Sequence, residues 1–252
     1  MIYGLYLSAS GVITNSYRQD VIANNIANAE TVGFKKDLAV LQQRPTAAQE
    51  TGQLNHTDPL LENIGGGLLA ARAAVDTRPG EYEPTGNNMD TALDGNGFFA
   101  VTSAGKTHLT RNGQFILNRS GTLALSTNPA QAVLDEKKAP IVLDGTQPIT
   151  IASDGTITQS GKVVARIGLF DAGDPASLRK DGATLLSIPD GTKLTPANPI
   201  VRTGFIERSN VDPASEMVEL MDTQRQLEAN ANMIHIQDET LDKLVNDVGK
   251  IG

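Results

Sequence analysis

The sequence predicts an α+β chain: a discontinuous helical domain, built by pairing the N- and C-terminal helices in a coiled-coil-like manner, with an all-β domain inserted between them. Three observations predict it. After Pro213 no proline or glycine occurs until Gly249, and the apolar residues of that stretch keep a seven-residue repeat. Residues 5–28 carry a second, weaker helical pattern. Between the ends the chain breaks into short apolar runs punctuated by Gly, Asp and Asn, the grammar of strands and tight turns. The expected division is 1–40 with 209–252 as the helical assembly domain, 41–84 as an extended linker, and 85–208 as the β domain.

The C-terminal helix organises the rest. Asp212-Pro213 is a helix start, with a carboxylate to cap free amides and a proline at the first helical position. A helix of about 36 residues at 1.5 Å per residue is ~54 Å long. One seam row is aliphatic throughout: Leu220, Leu227, Ile234, Leu241 and Val248. The other mixes Met217, Gln224, Ala231, Asp238 and Val245. A 3.5-residue period kept this long makes a narrow stripe suited to another helix, not to a broad core. The polar seam residues Gln224 and Asp238 trade stability for register. Glu219 falls on the opposite face.

At the N-terminus, Leu5, Val12, Ile22 and Ile26 share one stripe that Asn15 and Gln19 interrupt, so this helix needs a partner to be stable. The C-terminal seam is the natural one. The expected assembly interface is therefore Val12, Ile22 and Ile26 with Met217, Leu220, Gln224, Leu227, Ala231, Ile234 and Leu241. Residues 40–84 lack periodicity. Pro45, Gly52, Pro59, Gly65-Gly66-Gly67, Pro79, Gly80 and Pro84 interrupt them too often for a core of their own. From 85 to 208, strands are expected at 98–102, 106–110, 114–117, 122–125, 141–143, 149–151, 156–159, 162–170, 184–188 and 200–207. Asp144-Gly145, Asp154-Gly155 and Asp190-Gly191 supply turn chemistry, and Pro175 to Arg179 is the one short helical candidate.

Composition narrows the function. Aromatic residues make up only 4%, with no Trp, and the formal charge is −8 without a basic cluster, which argues against a nucleic-acid partner. There is no cysteine, hence no disulfide and no thiolate chemistry. The first residues lack the basic region of a cleaved signal peptide, and no stretch approaches the ~20 apolar residues of a membrane span. His56, His108 and His235 show no metal-ligand spacing, and His108 is expected to point off a strand surface. Asp90, Asp94 and Asn96 lack the calcium-loop spacing. Asp171 and Asp174 sit in a turn context, and Arg111 suits a salt bridge at a strand end better than an anion site. No active site, cofactor or metal is expected.

Three motifs carry a resemblance. Asn24-Asn25-Ile26-Ala27-Asn28 leads to Thr31-Val32-Gly33-Phe34-Lys35. In the centre stand Gly95-Asn96-Gly97-Phe98-Phe99-Ala100-Val101 and Thr110-Arg111-Asn112-Gly113-Gln114-Phe115. Ser209-Asn210-Val211 precedes Glu216-Met217-Val218, Gln224-Arg225 and Glu228-Ala229-Asn230. Together they resemble the flagellar rod and hook family across nearly the whole chain. One departure is Leu227, where the family's pattern carries an aromatic residue.

The resemblance implies a structural subunit of the basal-body rod, polymerising into the axial shaft that carries torque to the hook. It implies copies of itself, other rod and hook proteins and the flagellar export apparatus as partners, and a basal-body location without membrane insertion. The length favours rod over hook, with distal and proximal rod left open. An alternative from a different class is a secreted or periplasmic glycan-binding β module or peptidoglycan-active enzyme.

Overall fold

The structure, a computed structural model, describes residues 2–45, 67–189 and 191–248. The chain forms two compact units. A helical unit holds 1–26, 37–73 and 213–252, and a β unit holds 27–36 and 74–212. Of the segment expected as a linker, the described residues 41–45 and 67–73 group with the helices and 74–84 with the strands, as do residues 27–36.

In the helical unit, α1 spans Ile2–Ala27 and α2 spans Pro213–Val248. Beside them Leu41–Gln43 pairs antiparallel with Leu68–Ala70. The ribbon lies near α1: Arg44 donates to the Tyr6 hydroxyl at 2.6 Å, and Leu68 N approaches Ser10 Oγ at 3.5 Å. Gly65 and Gly66 lie outside the described residues.

Contacts between α1 and α2 step by seven residues in opposite directions. Gly4 faces the Gln237 amide and Gly11 faces Asn230. Arg18 donates to Gln226 Oε1 and Glu219 Oε1, both at 3.2 Å. Asn25 donates to Glu216 Oε2 at 3.0 Å. Thr223, between the two acceptors of Arg18, is fully buried and returns its hydroxyl to Glu219 O at 2.7 Å. The helices run antiparallel along this face, and the residues that reach across it are polar.

Along that face the two expected seam rows part. Leu220, Leu227, Ile234 and Leu241 are half-buried on the α1-facing side, alternating with Glu216, Thr223, Asn230 and Gln237. Met217, Gln224, Ala231 and Asp238 are all exposed. Glu219, placed by sequence on the opposite face, pairs with Arg18. On α1, Ile22 is buried while Val12 and Ile26 are half-buried. The aliphatic row lies beside α1, and Gly4 and Gly11 leave the room that the Gln237 and Asn230 amides fill.

The β unit is built on a nine-stranded antiparallel sheet. Its path runs through Arg179–Lys180, Leu185–Ser187, Lys106–Thr110, Phe98–Ser103, Asn128–Val133, Leu123–Leu125 and Phe115–Leu117. Leu169–Asp171 pairs with the start of Phe98–Ser103 and with Thr195–Pro196. Phe98-Phe99-Ala100-Val101 is buried on both faces, as alternation along a strand allows. Phe99 and Val101 enter one core with Phe115, Leu123, Ile157 and Ile167. Phe98 and Ala100 enter a second with Val75, Leu109, Phe170 and Leu186. Phe99 and Phe115 meet edge to face at 5.1 Å.

Smaller pairings complete the unit: Thr156–Gln159 between Ile149–Ile151 and Lys162–Arg166, Ile200–Thr203 with Thr91–Asp94, and Phe205–Glu207 with Tyr82–Pro84. Of residues 141–143, expected as a strand, Val142 alone makes a bridge, an isolated one with Thr122. Asp154 caps its turn by accepting from Thr156 N and Oγ1. Those bonds hold its carboxyl below the usual range, the backbone one first. Asp190 lies outside the described residues.

Candidate functional site

The three motifs meet in the β unit around one carboxylate. Glu207 ends the strand Phe205–Glu207 and has no exposed surface. Lys35 Nζ donates to its Oε1 at 2.5 Å and Arg111 Nη1 to its Oε2 at 3.1 Å. Gly80 N adds a bond to Oε1 at 3.1 Å. Lys35 also donates to Arg78 O at 2.7 Å. Arg111 reaches Leu93 O and Gly95 O and stacks over the Phe98 ring at 5.1 Å. All three charged side chains are at most 3% exposed. Burial holds the Lys35 ammonium below its ordinary value, opposed by the Glu207 carboxylate.

Around this cluster each motif residue has a mechanical task. Asn28 and Thr31 close a turn through Thr31 N to Asn28 O at 3.1 Å and Thr31 Oγ1 to Asn28 Oδ1 at 3.2 Å. Gly33 takes φ +71°, and a Cβ there would lie 2.3 Å from Asn112 N, so only glycine fits against the central motif. Its N–H donates to Glu207 O at 2.8 Å. Phe34 is fully buried with the Lys180 ammonium 3.5 Å from its ring centre. Asn210 accepts from Lys36 N at 2.7 Å and donates to Asp76 O and Arg78 O. Ser209 Oγ accepts from Val211 N, and Val211 is buried. Gly113 lies so close to Thr91 O that any side chain would collide with it.

In the helical unit, Asn25 clamps the backbone of Asp37, accepting from its N and donating to its O, both at 2.9 Å. Glu216, 1% exposed, meets the same amide nitrogen. Asn24 and Ala27 are exposed positions of α1, and Asn24 has an interaction of its own.

The candidate chemical groups have structural partners. Asp171 Oδ1 accepts from Gly173 N, and Asp174 Oδ1 caps the short 3-10 helix Pro175–Ser177 through Ala176 N. Asp94 pairs with Arg202. His108, expected on a strand surface, is instead buried, with Nε2 2.9 Å from Asp181 Oδ2 and Nδ1 3.2 Å from Lys106 O. The pairing of Lys106–Thr110 with Leu185–Ser187 covers that strand, which periodicity alone does not reveal. His235 is exposed on α2 near Glu239, and His56 lies outside the described residues. Among the described residues no group of three or more His, Asp or Glu side chains could hold a metal ion, and no helix is long and apolar enough to cross a membrane.

Comparison with known proteins decides the family. Three family models match in chain order: the flagella basal body rod protein over 5–35, the FlgE/F/G D1 domain of the flagellar hook protein over 92–159, and the flagellar basal body rod FlgEFG protein C-terminal region over 202–247. The flagellar basal-body rod protein FlgF of Caulobacter vibrioides is 34% identical over 250 residues, covering 98% of both chains. The chain belongs to the flagellar basal-body rod protein family. The rod protein FlgG of Bacillus subtilis is 31% identical over 271 residues, covering 98% of this chain and 99% of its own, and a Rhizobium meliloti FlgF is 29% identical. The first and last models each cover one partner of the Glu207–Lys35 pair. The clasp therefore joins, within the β unit, segments covered by the first and the last of these models.

The motif spelling marks these residues but not what joins them. Lys35 and Glu207 stand 172 positions apart. A signal was present: Glu207 is a lone acid ending the apolar run Phe205-Ile206, where an unpaired charge would be costly. Arg111, read as a strand-end salt-bridge residue, is one.

Proposed function

We propose that the chain is a structural subunit of the flagellar rod, polymerising into the axial shaft that carries torque from motor to hook, and that it acts without catalysis. The observation that carries this reading is the end-to-end match to rod proteins together with a site whose charged groups are all committed to holding backbone and side chains in place. A clasp of this kind suits a mechanical part. It ties the N-terminal segment to the strand that leads into α2, so load on either end reaches the β unit.

In this reading α1 and α2 pair as an antiparallel coiled-coil-like unit, and helices of neighbouring copies bundle around the axis. Contacts between copies are heterologous and open, which builds a helical tube instead of a closed ring. Its partners are copies of itself and other rod and hook proteins, it reaches the basal body through the flagellar export apparatus, and it does not insert into the membrane. The glycan-active alternative gains nothing from Asp171 and Asp174, whose carboxylates are taken by turn amides.

Deleting the gene tests the reading. The deletion strain should lack hooks and filaments and regain them with the unsubstituted chain. Hooks of normal number in the deletion strain would refute it, as would a purified chain that cleaves peptidoglycan and does not polymerise.

A further inference from the structure

The chain holds two Asn-Gly pairs, Asn96-Gly97 and Asn112-Gly113, and the fold treats them oppositely. In such a pair the glycine nitrogen can attack the preceding carboxamide, because glycine sets no side chain beside it. Asn112 has no exposed surface, its Oδ1 accepts from Gln114 N at 3.0 Å, and Gly113 is pressed against Thr91 O. Ring closure has no room there. Asn96 is exposed, and among the described residues its carboxamide has no hydrogen-bond partner and Gly97 N donates to no carbonyl. Glycine stands on both sides of it, at φ +117° and +134°, so no neighbouring Cβ crowds the carboxamide. With Phe98, Arg111 and Asp171, Asn96 and Gly97 line a cleft of about 160 Å³, room for several waters.

We propose that Asn96-Gly97 is a site of spontaneous covalent modification in the central motif. The Gly97 nitrogen attacks Asn96 Cγ. A C–N bond forms, the bond to the carboxamide nitrogen breaks, and that nitrogen leaves as ammonia with the Gly97 proton, closing a cyclic imide. Water from the cleft then opens one of the two imide C–N bonds. Breaking the new bond leaves aspartate. Breaking the old peptide bond leaves isoaspartate, whose chain runs on through Cβ and Cγ. One water enters, one ammonia leaves, and nothing is oxidised or reduced.

The site lies between two neighbours that seat Arg111. Gly95 O accepts from Arg111 Nη2 at 2.7 Å, and the guanidinium stands 5.1 Å from the centre of the Phe98 ring. Isoaspartate adds a methylene to the main chain between them, so the two contacts no longer fit one guanidinium position. Arg111 in turn holds Glu207 at 3.1 Å, so conversion to isoaspartate loosens the clasp. Aspartate leaves the main chain as it was and adds only a charge at an exposed position. The reaction needs the folded β unit alone and is independent of polymerisation.

Storage of the full-length protein in neutral buffer tests it. Samples taken over weeks are digested at mildly acidic pH, where the glycine nitrogen keeps its proton, and read by peptide mass spectrometry. The mass gain of OH replacing NH2 should build up at Asn96, and isoaspartyl methyltransferase should methylate the product. Asn112 must wait for local opening and should lag by at least about tenfold. In concentrated urea the two sites should convert at similar rates. Asn96 that stays intact in the folded chain while an acetyl-Gly-Asn-Gly-Phe amide converts would overturn the site, as would equal rates at Asn96 and Asn112 in the folded chain. Aged isoaspartyl protein, separated on anion exchange by its added charge, should lose its β circular-dichroism signal at lower urea than fresh protein. Asn96→Asp should stay near the parent, and Asn96→Gln should lose nothing on storage. An isoaspartyl form that unfolds like the parent, or an Asn96→Gln protein that weakens on storage as the parent does, would overturn the loosening of Arg111.

Discussion

Replacing Glu207 by leucine should unlatch residues 27–36 from the rest of the β unit. The carboxylate is fully buried and accepts from Lys35, Arg111 and Gly80, so its removal strands two buried cations and one buried amide. Breaking one buried ion pair by deleting a partner costs about 3–5 kcal/mol. Glu207→Leu breaks two, so the loss should reach at least that range, against a typical total of about 5–15 kcal/mol. Glu207→Gln keeps one acceptor and should lose about 1.5–3 kcal/mol, the worth of a hydrogen bond to a charged group. The assay is urea unfolding of the full chain followed by the β signal in circular dichroism. An exposed ion pair serves as the control. Arg202 and Asp94 are 44% and 38% exposed, and Arg202→Gln should cost about 1 kcal/mol or less. The triple variant Lys35→Met, Glu207→Leu, Arg111→Met removes all three charges and should recover more than half of the leucine loss. A Glu207→Gln protein within about 0.5 kcal/mol of the parent would refute the clasp, since that is the scatter of ordinary surface changes.

Further substitutions probe neighbouring links. Gly33→Ala, placing a Cβ against Asn112 N at positive φ, should destabilise the β unit by more than about 2 kcal/mol in the same assay, whereas Gly105→Ala, at positive φ in open space, should cost about 1 kcal/mol. Leu227→Asp, on the half-buried side of α2, should lower helix content and abolish rod assembly while sparing the β signal. Arg18→Ala should weaken the helical unit by about 1 kcal/mol or less, because its partner Glu219 is 44% exposed. The Asp76 carboxyl is held below its usual value, first by the hydrogen bond from Arg78. Its contribution is therefore present above the unfolded value and lost as pH falls through the folded one, so Asp76→Asn should flatten the acid limb of stability against pH. Lys35 is depressed by burial, so the unfolded chain binds more protons between the two lysine values. Stability from that group should rise with pH across this window, and Lys35→Met should remove the rise.

Helix positions and most strands were legible because they rest on local signals. Pro213 starts α2 in the structure as in the sequence, and the strand expected at 98–102 from its apolar run is Phe98–Ser103. Asn128–Val133 was missed because Pro129 and Gln131 disguise it, and its place is set by pairing with Thr102 and Val101. The helix seam was half legible. The heptad repeat marks the aliphatic row and the Met217 row, but not the row with Asn230 and Gln237 that meets the glycines of α1. That meeting depends on a partner more than 200 positions away. The clasp was hidden for the same reason: motif spelling points to Gly33, Phe34 and Asn210, but only the fold brings Glu207, Lys35 and Arg111 together.

The central claim is that this chain is a building part of the rod, and its position in the basal body tests that most directly. Val163 is 70% exposed on the β unit and the chain has no cysteine, so Val163→Cys offers a unique label site. Basal bodies purified from a deletion strain rescued with this variant, labelled with maleimide-gold and imaged, should carry gold along the rod between motor and hook. Restored motility with basal bodies that bind no label would contradict the account.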